Sequence, residues 1–395
     1  MTRPARKHPR ILFISAKHYL MAELIAGCQA LGLEHAYLFL GGISSSAELE
    51  EKLRGEVDRF SPDFLLTMNH LGLDREGLVS EFCRQRELPV LSWFVDRPDL
   101  FLPQYGNLDN PFIVYAVWDA DAVRLLEIGG YGRAFHLPLA ADLGRMHFIP
   151  DAAPLRDVAF VGNSMQAATD KCWKLSGQPD TLRGLWEDVA GKFAASALRD
   201  LPEFVAGENL EAHALRESCD SGPQAALDSF VYWRATQRYR RDCMEALLQF
   251  GPVVAGDEHW RALIGAEASW AYTRPLHYYS DLPDFYRSTK INFNTTSMQM
   301  KGALNQRVFD VPASGGFLLT DYREQLDAAF EVGREVVCYH GVEEIGDLVR
   351  HYLANPSARR EISLRARARI EREHSYAHRI ETICVNMKRM YGTPA

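Results

Sequence analysis

The sequence has no apolar run approaching the ~18 residues of a membrane-spanning helix. It has no CxxC pair either. Its 7 cysteines are scattered and odd in number, which fits a reducing, cytoplasmic setting better than a disulfide framework. Positive charge is short: a net charge of -8 argues against nucleic acid as the main partner, because phosphate backbones are held by an excess of Lys and Arg. No GxGxxG fingerprint follows the first apolar strand, so the simplest sign of an NAD-linked dehydrogenase is missing. Internal repeats at solenoid periods and low-complexity tracts are absent. The amino end, MTRPARKHPR, is basic but runs straight into ILFI (11–14) and then polar AKH, so no signal-peptide apolar region is expected.

What is present suits a soluble α/β protein of two domains. A chain of 395 residues that is 47% hydrophobic and 24% charged has material for two cores. Strand-like and helix-like stretches alternate. Strands are expected at 10–15, 35–40, 63–67, 89–95, 112–118 and 134–139, with helices at 20–31, 46–60, 74–86 and from Asp119 to Gly129. Such alternation implies a parallel sheet with helices on both faces and the strand-to-helix loops along one edge. A connection rich in Pro and Ala at 150–154 marks a boundary between domains 1–150 and 151–375, with 376–395 a final helix crossing back. The second domain starts with a strand at 157–164. A helical insertion follows at about 171–238, a possible oligomer contact, and then strands at 252–256, 276–279, 291–294, 317–320 and 335–339.

The stretch from Lys290 to Asp321 concentrates the chemistry. INFN (291–294) reads as a strand, the following TTS supplies hydroxyls at its carboxyl end, and a helix is expected from Gly302, with Leu304, Val308 and Val311 on one face. Arg307 and Asp310 share a neighbouring face. Their spacing alone permits an intrahelical salt bridge of little worth, or a cation and a carboxylate offered to a ligand at the end of a parallel sheet. In the first domain His18, His70 and Asp96 fall at strand ends, where a group that deprotonates a hydroxyl would stand. Asp96 also reads as a turn cap and His70 as a satisfied loop histidine, and His18, in the first strand-to-helix loop, stands third. Asp119 and Asp121 have the DxD form of a metal site, but their place at a helix start favours an N-cap. His374 and His378 have helical metal-ligand spacing without a third ligand.

Taken together, KINFN (290–294), RVFD (307–310), ASGGFLLTD (313–321), EVVCY (335–339), NP (355–356) and HSY (374–376) resemble the carboxyl-terminal domain of the CgeB-like, family-1-type glycosyltransferases. FVGN (160–163) is similar to that family's opening strand and glycine turn, and WFVDRP (93–98) and HLPLAAD (136–142) to segments of its amino-terminal domain. The resemblance implies the GT-B fold: two doubly wound Rossmann-like domains facing a cleft. It implies transfer of a sugar from a nucleotide-sugar donor, expected to be a UDP-sugar, to a hydroxyl of a glycan or protein, with no metal ion and no other cofactor. Gly162, Asn163, Ser164, Asn294, Thr295, Asn305 and Arg307 would then contact the donor, Arg307 at the diphosphate, and Asp310 would hold the ribose. The family usually carries Glu where this chain has Asp310, a shorter reach. A nucleotide-sugar 2-epimerase and a non-catalytic nucleotide-sugar-binding or assembly protein share the architecture and stand as alternatives.

Overall fold

The computed structural model describes residues 7–149, 153–265 and 269–394. The chain divides into two compact units, Met1–Asp142 with Glu373–Ala395, and Leu143–Arg372. The boundary expected at 150/151 lies outside the described residues.

In the first unit the elements are β1 Ile11–Ser15, α1 Met21–Ala30, β2 His35–Phe39, α2 Ser46–Phe60, β3 Phe64–Met68, α3 Leu78–Gln85, β4 Val90–Phe94, β5 Ile113–Val117, α4 Ala120–Ile128 and β6 Arg133–His136. The strands form one parallel sheet in the order β2-β1-β3-β4-β5-β6. β1, β3, β4 and β5 are buried along their whole length, as continuous apolar runs covered on both faces must be. The helix expected from Asp74 starts four residues later. The Asp74 carboxylate accepts from the backbone N–H groups of Leu78 (2.8 Å) and Val79 (2.7 Å), and this fixes a turn ahead of α3.

The second unit contains β7 Arg156–Val161, α5 Gln166–Ser176, α6 Arg183–Ala195, α7 Leu201–Glu208, α8 Leu210–Glu217, α9 Ser221–Leu247, β8 Val253–Ala255, α10 Trp260–Ile264, β9 Ala271–Thr273, α11 Leu282–Arg287, β10 Thr289–Phe293, α12 Arg307–Ala313, β11 Leu318–Asp321, α13 Leu326–Ala329, β12 Val337–Tyr339, α14 Ile345–Ala354 and α15 Pro356–Glu373. All strand pairs are parallel, in the order β12-β11-β10-β7-β8-β9. Read from the other edge this is the 3-2-1-4-5-6 order of a dinucleotide-binding fold. The insertion α5–α9 lies between β7 and β8, and α5 and α6 pack on α9. The end of α9 enters the core, where Cys243, Met244 and Leu247 meet Val158, Phe160 and Ile291.

Three local expectations are corrected. Residues 276–279 form no strand, because Asp281 captures the His277 N–H (3.0 Å) and makes that segment the lead-in turn of α11; the strand is β9. The helix expected from Gly302 begins at Arg307, since the Gly302 carbonyl accepts from Gln325 N–H (3.2 Å) rather than from a helical neighbour. The charged carboxyl-terminal helix is two: α15, then α16 Tyr376–Tyr391, which opens with a capping box between Ser375 and His378. α16 packs in the first unit so tightly that a Cβ on Gly27 would lie 3.0 Å from Tyr376 backbone atoms.

A second close approach holds the glycine turn after β7. A Cβ on Gly256 would stand 2.2 Å from the Gly162 carbonyl oxygen and 2.8 Å from Trp260 Nε1. Gly256→Ala should therefore cost about 1–3 kcal/mol, the range for overpacking, seen as a lowered melting temperature; an unchanged melting temperature would contradict the packing described.

Candidate functional site

The strand order of the second sheet reverses between β7 and β10, and ligands of open α/β sheets bind outside the carboxyl ends of the strands at such a point. Two turns flank it. In the first, Gly162 donates to the Ala255 carbonyl (2.9 Å) and its own carbonyl accepts from Trp260 Nε1 (2.8 Å), which ties β7 to the end of β8. Ser164 is buried, and both its backbone N–H and its Oγ donate to the Asp257 carboxylate at 2.7 Å. Its donors are thus already engaged. The Asn163 side chain is exposed, and its carbonyl accepts from Arg240 Nη1 (2.6 Å).

The second turn follows β10 and is buried from Asn294 to Ser297. Asn294 Oδ1 accepts from Arg307 Nε (2.7 Å) and Asn305 Nδ2 (3.1 Å), while the Thr295 carbonyl accepts from Asn305 Nδ2 (3.1 Å) and Arg307 Nη2 (3.3 Å). Thr296 turns its N–H and hydroxyl to the Asp321 carboxylate, which also takes Tyr239 OH (3.2 Å) and pairs with Arg323. Buried polar atoms normally find partners. Thr295 Oγ1, Asn305 Oδ1 and Arg240 Nε are buried and have none among the described residues. The structure thus brings Asn294, Thr295, Asn305 and Arg307 together as one network.

Asp310 lies one turn along α12 and is buried. Its Oδ2 accepts from Tyr278 OH (2.9 Å) and its Oδ1 from Gln306 Nε2 (2.8 Å). Arg307, by contrast, spends its hydrogen bonds on the turn. Burial lowers the Arg307 pKa from its ordinary value. Arg240 is pushed down to about 9 by burial, with Arg307 as the next cause. Arg240 sits on α9 with Thr236, Tyr239 and Cys243. Thr236 Oγ1 accepts from Met298 N–H (2.9 Å), and Cys243 Sγ lies 3.8 Å from Tyr339 OH. The spacing 236, 239, 240, 243 is one helical face, a signal present in the sequence, with three of its four residues beyond the insertion expected at 171–238.

In the first unit, Asn69 spans two backbone levels: its Oδ1 accepts from Val95 N–H (2.8 Å) and its Nδ2 donates to Asp96 Oδ2 (2.9 Å), leaving Asp96 half-buried at the end of β4. His70 is 0% exposed. Its Nδ1 lies 2.6 Å from Ser92 Oγ and its ring among Phe94, Tyr105 and Tyr115. A ring so enclosed has no surface to offer an acceptor, so the structure places His70 in the core and not at a reacting hydroxyl. His18 is exposed, stacked on Phe39 (4.5 Å between centroids) and 3.2 Å from Tyr37 OH. Asp119 accepts from Asp121 N–H (3.0 Å) as the N-cap of α4. His374 and His378 are turned to Arg379 (2.9 Å) and Ser375 (2.7 Å).

A cavity of about 410 Å³ lies at the opposite, amino end of β10 and β11, lined by Arg287, Lys290, Gly315, Phe317 and Arg359. Its cations are engaged: Arg287 with Asp284, Lys290 with Asp157 at 2.7 Å, and Arg359 with the carbonyls of Tyr352 and Leu353. It is separate from the polar turns.

Residues 238–385 match a family described as glycosyl transferase-like. A search of curated proteins finds no match. Among solved structures, this chain is similar to a glycosyltransferase from Rickettsia africae ESF-5, with TM-score 0.55 and 9% identity over 98% of this chain and 99% of that one. It is similar also to Anabaena HepE in complex with UDP-glucose, with TM-score 0.57 and 9% identity over 97% and 100%. A third likeness is to T4 phage BGT in complex with its UDP-glucose substrate, with TM-score 0.54 and 11% identity over 96% and 99%. At these identities the likeness establishes the fold, two Rossmann-like domains of the GT-B type, as the sequence resemblance implied. With the family match, the chain carries a glycosyl transferase-like region on that fold.

The enclosed His70 makes a pH prediction. Burial pushes its pKa down to about 3, while in the unfolded chain an imidazole takes up a proton below about pH 6.5. The unfolded state therefore binds more protons between these values, and stability falls as pH drops from about 6.5 toward 3, by at most about 1.4 kcal/mol per unit. Urea-unfolding midpoints measured from pH 7 to 4 should fall less steeply for His70→Gln than for the native chain; equal slopes would contradict a neutral, enclosed imidazole.

Proposed function

We propose that this chain, with its glycosyl transferase-like region on a GT-B fold, transfers a sugar from a nucleotide-sugar donor to a hydroxyl of a glycan or protein acceptor, without a metal ion, in the manner of the CgeB-like enzymes. The observation that carries the reading is the placement of Arg307. A half-buried guanidinium is fixed by Asn294 and Thr295 beside the point where the strand order reverses. As the bond from the sugar to the diphosphate breaks, negative charge grows on the departing nucleoside diphosphate. A cation fixed beforehand in a place of low dielectric stabilises that charge with little reorganisation.

Asp310 takes the ribose hydroxyls in this reading. Tyr278 and Gln306 each donate to one of its oxygens and so fix the direction of the carboxylate. That clamp accompanies the shorter reach of Asp relative to the family's Glu. Of the three base candidates, Asp96 is the one whose carboxylate is both oriented, by Asn69, and only half-buried. It would accept the acceptor's proton if the reaction inverts the anomeric centre. UDP-glucose in the Anabaena and phage structures supports a UDP-sugar as the donor class. The reaction is assigned to the cytoplasm, in keeping with cysteines that are all free thiols.

The test is a panel of UDP-sugars with glycan and protein acceptors, in EDTA. The native chain should form product. Arg307→Ala should lower kcat about a hundred- to a thousandfold, the cost of removing one charge-stabilising donor, with its circular dichroism unchanged. Full transfer by the folded variant would sink the assignment.

A further inference from the structure

We propose that Arg240, on the last helix of the insertion, is a second cation for the donor's diphosphate, contacting it from beneath the Gly162–Asn163 turn while Arg307 contacts it from the Asn294–Thr295 turn. This rests on the reading of a nucleotide-sugar donor given above and adds a binding residue to it.

Arg240 is only 6% exposed. One arm of its guanidinium is fixed, Nη1 donating to the Asn163 carbonyl at 2.6 Å. Its Nε is buried and has no acceptor among the described residues. The guanidinium carbon lies 3.9 Å from where a Cβ on Gly162 would stand and 5.9 Å from the centre of the Phe160 ring, so it sits against the turn itself. The same point would lie 2.9 Å from Phe160 Cζ, so the lack of a side chain at 162 is what lets the Phe160 ring and the guanidinium pack against the turn.

The charges nearby do not settle Arg240. Arg307 opposes it, and Asp321 and Asp257 favour it. Both carboxylates have other work: Asp321 pairs with Arg323 and takes the N–H and hydroxyl of Thr296, while Asp257 takes the N–H and hydroxyl of Ser164. Burying a cation with an unmade donor beside a second cation is costly. An anion carrying more than one charge, lying along both turns, would accept from Nε and offset the repulsion between the two arginines. The diphosphate of a nucleotide sugar has that charge, and guanidinium groups are suited to its oxygens.

Calorimetry on the full chain in EDTA tests the assignment, with inorganic pyrophosphate and UDP as probes and inorganic phosphate as the single-phosphate control. The native chain should bind pyrophosphate and UDP, and more tightly than phosphate. Arg240→Met should weaken both about ten- to a hundredfold, the loss of a charge-assisted hydrogen bond, and Arg240→Lys by less. Without ligand, Arg240→Met should melt no lower than the native chain, because it removes a buried cation whose Nε has no acceptor among the described residues. If Arg240→Met binds both probes as the native chain does while Arg307→Ala does not, the inference on Arg240 falls and the donor site stands. If Arg240→Met melts lower but keeps the full ligand-induced rise in melting temperature, Arg240 merely ties α9 to Asn163, and the inference falls again. If the native chain binds neither probe, the donor reading itself fails and takes this one with it.

Discussion

Asn294 is the residue on which the arrangement of the second unit turns. Its N–H donates to the Leu319 carbonyl (2.8 Å) and its carbonyl accepts from Tyr339 OH (3.0 Å), so its backbone is fixed by β11 and β12. Its side-chain amide donates to Thr320 Oγ1 (2.9 Å) and its Oδ1 receives Arg307 and Asn305. Away from water an unmade bond of this kind is expensive. The guanidinium of Arg307 therefore inherits its position from the sheet rather than from a loop, which is the condition for a group to act on charge as it develops. A chain of net charge -8 thus places a cation locally at the end of a parallel sheet.

The first sheet reverses its strand order between β1 and β3, yet that point is built differently. The residues after β3, Asn69 and His70, both have left-handed backbones, with φ of 46° and 60°, a conformation that Asn and His adopt more readily than most side chains. At this turn Asn69 bonds to Val95 and Asp96, and the imidazole of His70 lies inward among aromatic rings. This pair of residues therefore does two things: it closes the core, and it orients the Asp96 carboxylate.

Much of this was legible in the sequence, because parallel strands buried on both faces read as unbroken apolar runs and their ends carry Gly, Asn, Asp and Ser. The strand at 11–15, the capped start of α2 at Ser45 and the Asp119 cap all follow from such local chemistry. So does the grouping of Asn294 with Thr295, which are adjacent in sequence. What was not legible depends on side chains meeting across long separations. Ser164 carries a hydroxyl that looks available until Asp257, far along the chain, takes it. His70 resembles an exposed base until Tyr105 and Tyr115 close over it. The role of α9 was hidden because a face of Thr236, Tyr239, Arg240 and Cys243 reads as ordinary core packing until the turns at 162–164 and 294–298 are seen against it.

Under the proposed function, a nucleoside diphosphate lies along the two turns at the β7 and β10 ends. Hydrogen–deuterium exchange of the full chain, with and without saturating UDP, tests it most directly. Exchange should slow in peptides covering 161–166 and 294–311, with the strand at 35–39 unaffected. Binding of UDP with no protection at either turn would contradict it.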